Sequence, residues 1–346
     1  MLDLVLNRLK KCLILYQMKF LSYLTGFILL AFSSGCSNDI EINAPYQDIA
    51  VVYSFLDQNE PVQYIRIQKV YQNNASLSTA EGAQLTDSLY FDSLEVSITN
   101  VNTKVIYTCT KIDSIPKEAA SDTTGLFGNS KHFLYACKIP KNPNKDEDDI
   151  YQLNIRVPKS GKLFRATTKI VKDASIEART IPLRTIPANT AFPFRFVTGK
   201  NSFLYDLVVR FKYKEMNAND TSVFTNKFID YYVQRSKKYT YSLSTNTESV
   251  VSNFFIDHIK SNLKYDVSKI RRTIGIEFIA YGGSEELRDY LDLNKPNTSI
   301  VPKNTEYSNI ENGKGIFSSR NYTVQTGVVL DDLSFEVLRK ELPNFR

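Results

Sequence analysis

The chain has 346 residues, with 21 tyrosines, 21 phenylalanines, no tryptophan, four cysteines and two histidines. Its apolar fraction of 42% is sufficient for packed cores, which excludes a chain that is disordered throughout. The formal charge of +6 falls to +3 without residues 1–35, where four basic residues and one acidic residue lie. Residues 36–346 contain no block of five like charges, so we expect no nucleic-acid partner.

The first element is an apolar segment with the features of a secretion signal. Lys19 precedes the apolar run from Phe20 to Phe32, and the small residues Ser33-Ser34-Gly35 lead to Cys36. A membrane-spanning helix needs about 20 apolar residues, so this run favours a cleaved signal over a membrane anchor. It resembles the lipobox of bacterial lipoproteins, with Ser33 where leucine is usual. Residues 1–35 are therefore predicted to be a signal peptide, and Met18 is an alternative start.

Cys36 is the predicted lipidation site, and residues 36–46 are the predicted tether. More than one acyl chain anchors a protein stably, whereas a single chain binds membranes only marginally. The next acidic stretch, Asn38-Asp39-Ile40-Glu41, resembles the tag that directs lipoproteins of Bacteroidota to the outer face of the outer membrane. We expect a lipid-anchored protein of the outer membrane. The tag favours exposure at the cell surface, and the periplasmic face is the alternative.

Apolar and polar residues alternate from Ile49 to Ile170, with polar turn segments between the runs. This pattern is typical of half-buried strands and predicts an antiparallel immunoglobulin-like β-sandwich over residues 47–172. The polar stretches 73–88 and 113–131 are expected to be long surface loops, where recognition often resides. The abundance of tyrosine and phenylalanine also favours a mainly β fold.

Two cysteines lie in predicted strands of this first domain. Cys109 falls in the run Val105–Lys111, and Cys137 falls in the run Phe133–Ile139. Outside the cytoplasm a disulfide between them is allowed. Two separate buried thiols fit the sequence equally well, because spacing along the chain does not give their separation in space.

Residues 173–192 are a predicted linker, and residues 193–346 are a predicted second β-rich domain with peripheral helices. The alternating runs Leu207–Tyr213 and Ile274–Ala280 predict strands. Three segments have helical spacing of apolar residues, or a polar residue at the expected start of a helix. They are Glu248–Leu263, the segment that begins at Ser284, and Asp331–Leu342.

Three segments of the chain carry a family likeness. The first runs from Tyr151 to Thr168, with the pattern Y-x-L-x-I-x-V followed by G-x-x-F-x-A-T-T. The second leads from Ile276–Tyr281 into Leu287–Leu291, and the third is Tyr307–Phe317, with the block N-I-x-N-G-x-G-x-F. Together with the lipobox they resemble a family of Bacteroidota outer-membrane lipoproteins of unknown function. The resemblance implies an accessory protein, often associated with TonB-dependent transporters, and it supplies no catalytic residues.

The third segment also has a simple structural interpretation. Asn312, Gly313 and Gly315 allow the tight turn that would return Ile316 and Phe317 to a core. A lone G-x-G without a preceding strand and a following helix is not a phosphate-binding motif.

The residues capable of catalysis or metal binding do not form a recognised set. Asp257 and His258 are adjacent on a predicted helix, where neighbouring residues do not face each other, so His258 is expected at the edge of a core. The acidic run Asp146–Asp149 lacks the glycine and the distal glutamate of a calcium loop and is expected to be a solvated hairpin loop. We therefore predict no catalytic residue, no metal and no cofactor.

Four short segments resemble the O-glycosylation site of Bacteroidota, an aspartate followed by serine or threonine and then a small or apolar residue. Chance occurrence is the alternative explanation. Such modification would solubilise exposed loops. The modified residues would be Ser88, Ser93, Ser114 and Thr123.

The sequence thus predicts a non-catalytic outer-membrane lipoprotein that binds another envelope component, with an outer-membrane protein as partner and membrane lipid held through Cys36. The alternative is a glycan- or peptide-binding surface lipoprotein that uses Tyr231 and Tyr232, or Tyr239 and Tyr241, as stacking surfaces. A hydrolytic enzyme is the third choice.

Overall fold

Strands make up most of the structure, as the alternation of apolar and polar residues predicts. The computed structural model describes residues 49–70, 89–113, 115, 132–141, 148–177, 181–183, 190–294 and 306–346. The strands in these ranges are β1 Ala50–Asp57, β2 Val62–Lys69, β3 Glu95–Asn100, β4 Ile106–Thr108, β5 Thr110–Ile112, β6 Leu134–Lys138, β7 Ile150–Arg156, β8 Leu163–Lys169, β9 Ser175–Glu177, β10 Ala191–Val197, β11 Leu204–Asn217, β12 Asp220–Lys238, β13 Thr245–Val251, β14 Lys269–Gly283 and β15 Lys314–Val328. The helices are α1 Ser252–Ser261, α2 Glu285–Leu293 and α3 Asp332–Glu341. The predicted mainly β fold is confirmed.

The strands form three sheets. The largest has eight strands in the order β12-β11-β14-β15-β1-β2-β6-β5. A four-stranded sheet has the order β4-β3-β7-β8, and a three-stranded sheet has the order β13-β10-β9. All pairings in the eight-stranded sheet are antiparallel except that of β1 with β15, which is parallel.

Two hydrophobic cores lie against this sheet. The first core joins β1, β2 and β6 to the four-stranded sheet, and its members run from Ala50 to Ile170 with the addition of Ile310 and Phe317. The second core joins β11 and β14 to β10, α1 and α3, and its members run from Ala174 to Phe345. The predicted linker at 173–192 contributes β9 and five buried side chains to the second core, namely Ala174, Ile176, Ile181, Leu183 and Phe192.

The sheet, in contrast, is continuous across the boundary between the two cores. An independent immunoglobulin-like sandwich would end at its own edge strands. Here β1 instead pairs with β15, through seven residue pairs from Val51↔Lys314 to Asp57↔Arg320. A buried ion pair also lies near the boundary, where Lys172 Nζ is 2.7 Å from Asp149 Oδ2. Residues 48–346 form one compact unit.

A glycine makes the junction between β1 and β15 possible. Gly315 pairs with Val52 and has a φ of +106°, and a Cβ atom there would lie 2.0 Å from the Val52 carbonyl oxygen. The predicted structural role of the Asn312–Gly315 block is therefore supported, and its reason is close approach to a neighbouring strand as well as turn formation.

Three sequence-based predictions about local structure need correction. The predicted strand Val105–Lys111 is divided, because β4 belongs to the four-stranded sheet, β5 belongs to the eight-stranded sheet, and Cys109 lies between them. The predicted helix Glu248–Leu263 begins only at Ser252, because its first residues pair with β10 as β13. Ile274 is 43% exposed instead of buried, because the register between β11 and β14 shifts beside it.

The other two predicted helices are confirmed. Ser284 occupies the N-cap position of α2, but its hydroxyl bonds to Glu286 and to Ser318 instead of a backbone amide. Asp331 caps α3 by accepting a hydrogen bond from the Ser334 amide at 2.9 Å. Within the ranges that the structure describes, none of the helices is long and apolar enough to cross a bilayer.

Candidate functional site

The eight-stranded sheet has one face against the cores and one face turned away from them, which we call the outer face. On β11 and β14, alternate residues such as Val209 and Phe278 belong to the second core. Their neighbours Val208, Arg210 and Tyr281 therefore lie on the outer face. Large side chains remain exposed along this face, which marks it as a candidate interaction surface. They include Tyr53 37%, Tyr64 43%, Phe224 47%, Phe228 57%, Tyr232 39%, Tyr281 39%, Tyr322 37% and Val324 37%.

An open groove of about 460 Å³ lies on the outer face beside α2. The rings of Tyr232, Tyr281 and Tyr322 line it on the sheet side, and Leu287 and Leu291 of α2 line it on the helix side. The lining also includes four charged side chains, which are Asp57, Glu60, Asp206 and Arg320. Mostly apolar walls with a few convergent polar groups are typical of binding sites.

Strand register brings the central residues of this groove together. Asp206 of β11 pairs with Tyr281 of β14, and Tyr281 pairs with Tyr322 of β15. A carboxylate and two tyrosines therefore form one row across three strands. The centroids of the two rings are 5.9 Å apart, within the range of interacting aromatic pairs. Burial raises the pKa of the Tyr281 hydroxyl, so it stays protonated and can donate a hydrogen bond at neutral pH.

The charged groups of the groove lining are three carboxylates and one guanidinium. The Arg320 guanidinium is engaged by Asp57, with 3.3 Å between Nε and Oδ2. One oxygen of Asp206 accepts a hydrogen bond from the Ser236 amide at 2.6 Å, and in the described part of the chain its other oxygen has no partner. Glu60 is exposed and has no ion pair among the described residues. The lining is therefore acidic overall.

Helix α2 forms the wall of the groove because the strand before it ends in glycine. A Cβ atom at Gly283 would lie 2.8 Å from Cδ2 of Leu287, so a larger residue there would require the Leu287 side chain to shift. Asp292 of α2 also pairs with Lys238 at the end of β12. On its other side the helix is held by Tyr290, whose ring meets that of Tyr53 edge to face at 6.5 Å.

A second feature of the outer face is a series of cation–aromatic pairs along β12. Lys214 Nζ lies 4.1 Å from the centre of the Phe224 ring, and Arg210 Cζ lies 4.1 Å from that of Phe228. Arg235 Cζ lies 3.5 Å from the centre of the Tyr232 ring. Arg210 also donates to Asp230 from Nε at 2.7 Å and from Nη2 at 2.9 Å. These rings therefore already have a cation supplied by the chain itself.

Most residues predicted to be modified lie outside the described ranges. The predicted lipidation site Cys36 and the predicted glycosylation sites Ser88, Ser114 and Thr123 are among them. Ser93 is described and is exposed, two residues before β3 begins. Its side chain is accessible to a modifying enzyme, and its glycosylation stays a prediction.

Cys109 and Cys137, whose pairing the sequence does not decide, form a disulfide in the structure. The Cα atoms of Cys109 and Cys137 are 4.4 Å apart, within the range that disulfides require. The bond joins β6 to the point where the chain passes from the four-stranded to the eight-stranded sheet. It therefore links the two sheets of the first core.

The candidate catalytic and metal-binding residues have structural roles. His258 is half-buried, its Nε2 lies 3.0 Å from the Asp230 carbonyl oxygen, and its ring packs on Tyr231, whereas Asp257 is exposed. Asp149, from the acidic run 146–149, is buried against Lys172, and Asp148 accepts from Asn201 at 3.1 Å. Among the described residues, no three histidine, cysteine or acidic side chains are grouped as metal ligands.

The tyrosines predicted as stacking surfaces divide into four environments. Tyr232 lies in the groove, whereas its neighbour Tyr231 packs against Phe255 of α1. Tyr239 is buried in the second core, and Tyr241 is 74% exposed in the loop after β12. Of these candidates, only Tyr232 therefore lines the groove.

Comparison with known proteins does not assign the chain to a family. No protein-family model matches the chain, and no curated protein matches it. The arguments for function therefore rest on the residues and their arrangement.

Sequence reasoning missed most of the groove. In the sequence, Tyr281 belongs to a family-like segment with no assigned role, and no motif contains Asp206 or Tyr322. The alternation Leu207–Tyr213 is the one local signal that bears on Asp206, because it implies that residue 206 faces away from the core. What it could not supply is the pairing of Asp206, Tyr281 and Tyr322, because these residues come from strands far apart in the chain.

Proposed function

We propose that this protein is a lipid-anchored, non-catalytic binding subunit of an outer-membrane complex. It would be attached through Cys36 and stand beside a TonB-dependent transporter. The observation that carries the binding role is the tyrosine-lined groove on the outer face, beside α2. The anchor and the transporter association rest on the lipobox and on the family resemblance of the three sequence segments.

The composition of the outer face suits a protein partner. Protein–protein interfaces are enriched in tyrosine, phenylalanine and arginine relative to other surfaces, and energetically important residues are often tyrosine or arginine. The groove and its surroundings present Tyr232, Tyr281, Tyr322 and Arg320. These residues lie on paired strands, which hold them more rigidly than a loop would.

A lipid anchor would strengthen such binding without additional contacts. A tether holds the protein and its partner on the same membrane surface, so their encounter becomes effectively intramolecular. Modest affinity at the groove would then suffice for a stable complex.

The proposal is tested by affinity purification of the tagged full-length chain from detergent-solubilised native membranes after cross-linking. We expect an outer-membrane protein to copurify in stoichiometric amounts. The double variant Tyr281→Leu/Tyr322→Leu should lose this partner. Tyr265→Leu is the matched control, because Tyr265 is 74% exposed and does not line the groove. A chain that is repeatedly recovered alone would contradict the proposal.

The anchor is tested separately with labelled palmitate. The wild-type chain should incorporate the label and sediment with membranes, whereas Cys36→Ala should do neither. Label retained in Cys36→Ala would place the modification elsewhere and remove the argument for a lipoprotein.

A glycan- or peptide-binding role is the second candidate, and the groove itself favours it. Three tyrosine rings beside carboxylate and guanidinium groups can stack on a sugar and hydrogen-bond to its hydroxyls. Binding of the purified chain to a glycan or peptide array would favour this role over that of an adaptor. No observation among the described residues favours the third, hydrolytic alternative.

A further inference from the structure

On the outer face, the exposed rings of β12 are paired with cations of the chain, whereas Tyr53, Tyr64, Tyr281 and Tyr322 on other strands are not paired with one among the described residues. On β12 the rings of Phe224, Phe228 and Tyr232 each have a lysine or arginine of this chain 3.5–4.1 Å from the ring centre. Tyr281 and Tyr322 form an adjacent pair of rings about as exposed as Tyr232. In the described part of the chain, no cation lies over either of these two rings.

The surroundings of Tyr281 and Tyr322 are acidic instead. Asp206 is the direct cross-strand neighbour of Tyr281, and Glu60 and Asp57 line the same groove. Arg210 interacts with the Tyr281 hydroxyl, but its guanidinium is held by Asp230 and lies over Phe228. Within the described ranges, no cation of the chain is therefore left to face the ring pair.

Two further basic side chains near the groove, Arg320 and Arg235, do not make it an anion site. Arg320 is paired with Asp57, and Arg235 lies over the Tyr232 ring. By contrast, Glu60 and one oxygen of Asp206 are without partners among the described residues. Aromatic rings attract cations through their negative faces, and carboxylates add charge-assisted hydrogen bonds. The groove is therefore complementary to a positively charged group.

We propose that the groove binds a lysine or arginine side chain presented by an extended segment of the partner protein. This inference rests on the proposed function and adds the chemistry of the partner. The open shape of the groove and the apolar wall of Leu287 and Leu291 suit a peptide, whose neighbouring side chains can pack there. The charged side chain would lie over Tyr281 and Tyr322 and hydrogen-bond to Asp206.

The test compares two short immobilised glycine–serine peptides. One contains two arginines, and the other has citrulline, a neutral side chain of nearly the same shape, at the same two positions. The full-length chain in detergent should bind the arginine peptide about tenfold more tightly than the citrulline peptide. Free arginine amide should compete only weakly, because it lacks the flanking backbone. Competition by arginine amide at the affinity of the peptide would identify a small-amine site and overturn the peptide assignment.

Three variants and one control separate a ring contact from general damage. Tyr281→Phe keeps the ring and loses only the hydroxyl, so it should lose much less affinity than Tyr281→Leu, which should lose about five- to tenfold. Asp206→Asn can still accept a hydrogen bond from the Ser236 amide, and it should weaken binding and reduce the salt dependence of the affinity. Tyr265→Leu is the matched control, because Tyr265 is 74% exposed and does not line the groove, and it should bind normally.

Equal affinity for the arginine and citrulline peptides would overturn this inference. So would tighter binding of a glutamate-containing peptide, or unchanged binding by a correctly folded Tyr281→Leu variant. The proposed function can fail independently. If an outer-membrane partner copurifies with Tyr281→Leu/Tyr322→Leu, the cation-binding inference is wrong, but the proposed membership of a complex is supported. If the arginine peptide binds but no partner copurifies with the wild type, the proposed function is wrong, but the cation-binding inference is supported.

Discussion

The two cores of this protein use the same large sheet in different ways. The first core is closed by a second sheet and carries the Cys109–Cys137 disulfide. The second core is covered by helices and by β10, and it contains a cluster of phenylalanines that includes Phe192, Phe194 and Phe278. Because β1 and β15 join them within one sheet, we expect the two halves to unfold together even though each buries its own apolar residues.

The largest loss of stability is expected from a substitution in the second core. Phe278 is 2% exposed, and the centre of its ring lies 4.7 Å from that of Phe194. Phe278→Ala should lower the free energy of unfolding by about 4 kcal/mol, since it removes buried surface and leaves a cavity. Ile274→Ala in the same strand is the control, because Ile274 is exposed and should cost little. Urea unfolding followed by fluorescence and circular dichroism should show one shifted transition. Two separate transitions would contradict cooperative unfolding of the two halves.

A substitution at the junction between β1 and β15 should destabilise the protein nearly as much. Gly315→Ala would place a Cβ against the Val52 carbonyl at a positive φ, so it should cost roughly 3 kcal/mol or more and separate β1 from β15. Gly327→Ala, in the same strand, also has a positive φ but no atom within 4 Å, and it should cost about 1 kcal/mol. Hydrogen exchange of both strands measures the difference. Equal protection in the two variants would mean that the close approach at Gly315 is not decisive.

The disulfide of the first core should make a contribution of similar size. The cysteines are 28 residues apart, and closing a loop of that length stabilises the folded state by about 3.5 kcal/mol in the chain-entropy model. Reduction, or the double variant Cys109→Ala/Cys137→Ala, should lower the denaturation midpoint by a corresponding amount. A reductant should have no further effect on the double variant. An unchanged midpoint for the reduced wild type would show that sheet packing alone holds β5 and β6.

The smallest effect on stability is expected on the outer face. Tyr281→Leu and Tyr322→Leu change side chains that are 39% and 37% exposed, so each should alter the free energy of unfolding by less than about 1 kcal/mol. Combined in the double variant Tyr281→Leu/Tyr322→Leu, the same changes should nevertheless abolish partner recovery. A loss of stability as large as that of Phe278→Ala would show that these tyrosines support the fold and would weaken the case for a binding face.

Individual residues show how far sequence reasoning reaches. The strands around Val209 and Phe278 and the helix capped by Asp331 could be predicted, because alternation and capping are local signals. The division of Val105–Lys111 between two sheets could not, because both parts have the same local pattern. The helical spacing from Glu248 predicts helix at 248–251, but pairing with β10 makes these residues a strand.

The sequence by itself determined that the chain is mainly β, that two stretches of apolar residues form two cores, and that a candidate lipid anchor precedes them. These properties follow from the order of apolar, polar and small residues along short segments. Only the tertiary structure decided that both cores share one sheet and that Asp206, Tyr281 and Tyr322 form a row on its outer face. The physical reason is that strand order and register depend on contacts between distant segments, which no local pattern encodes.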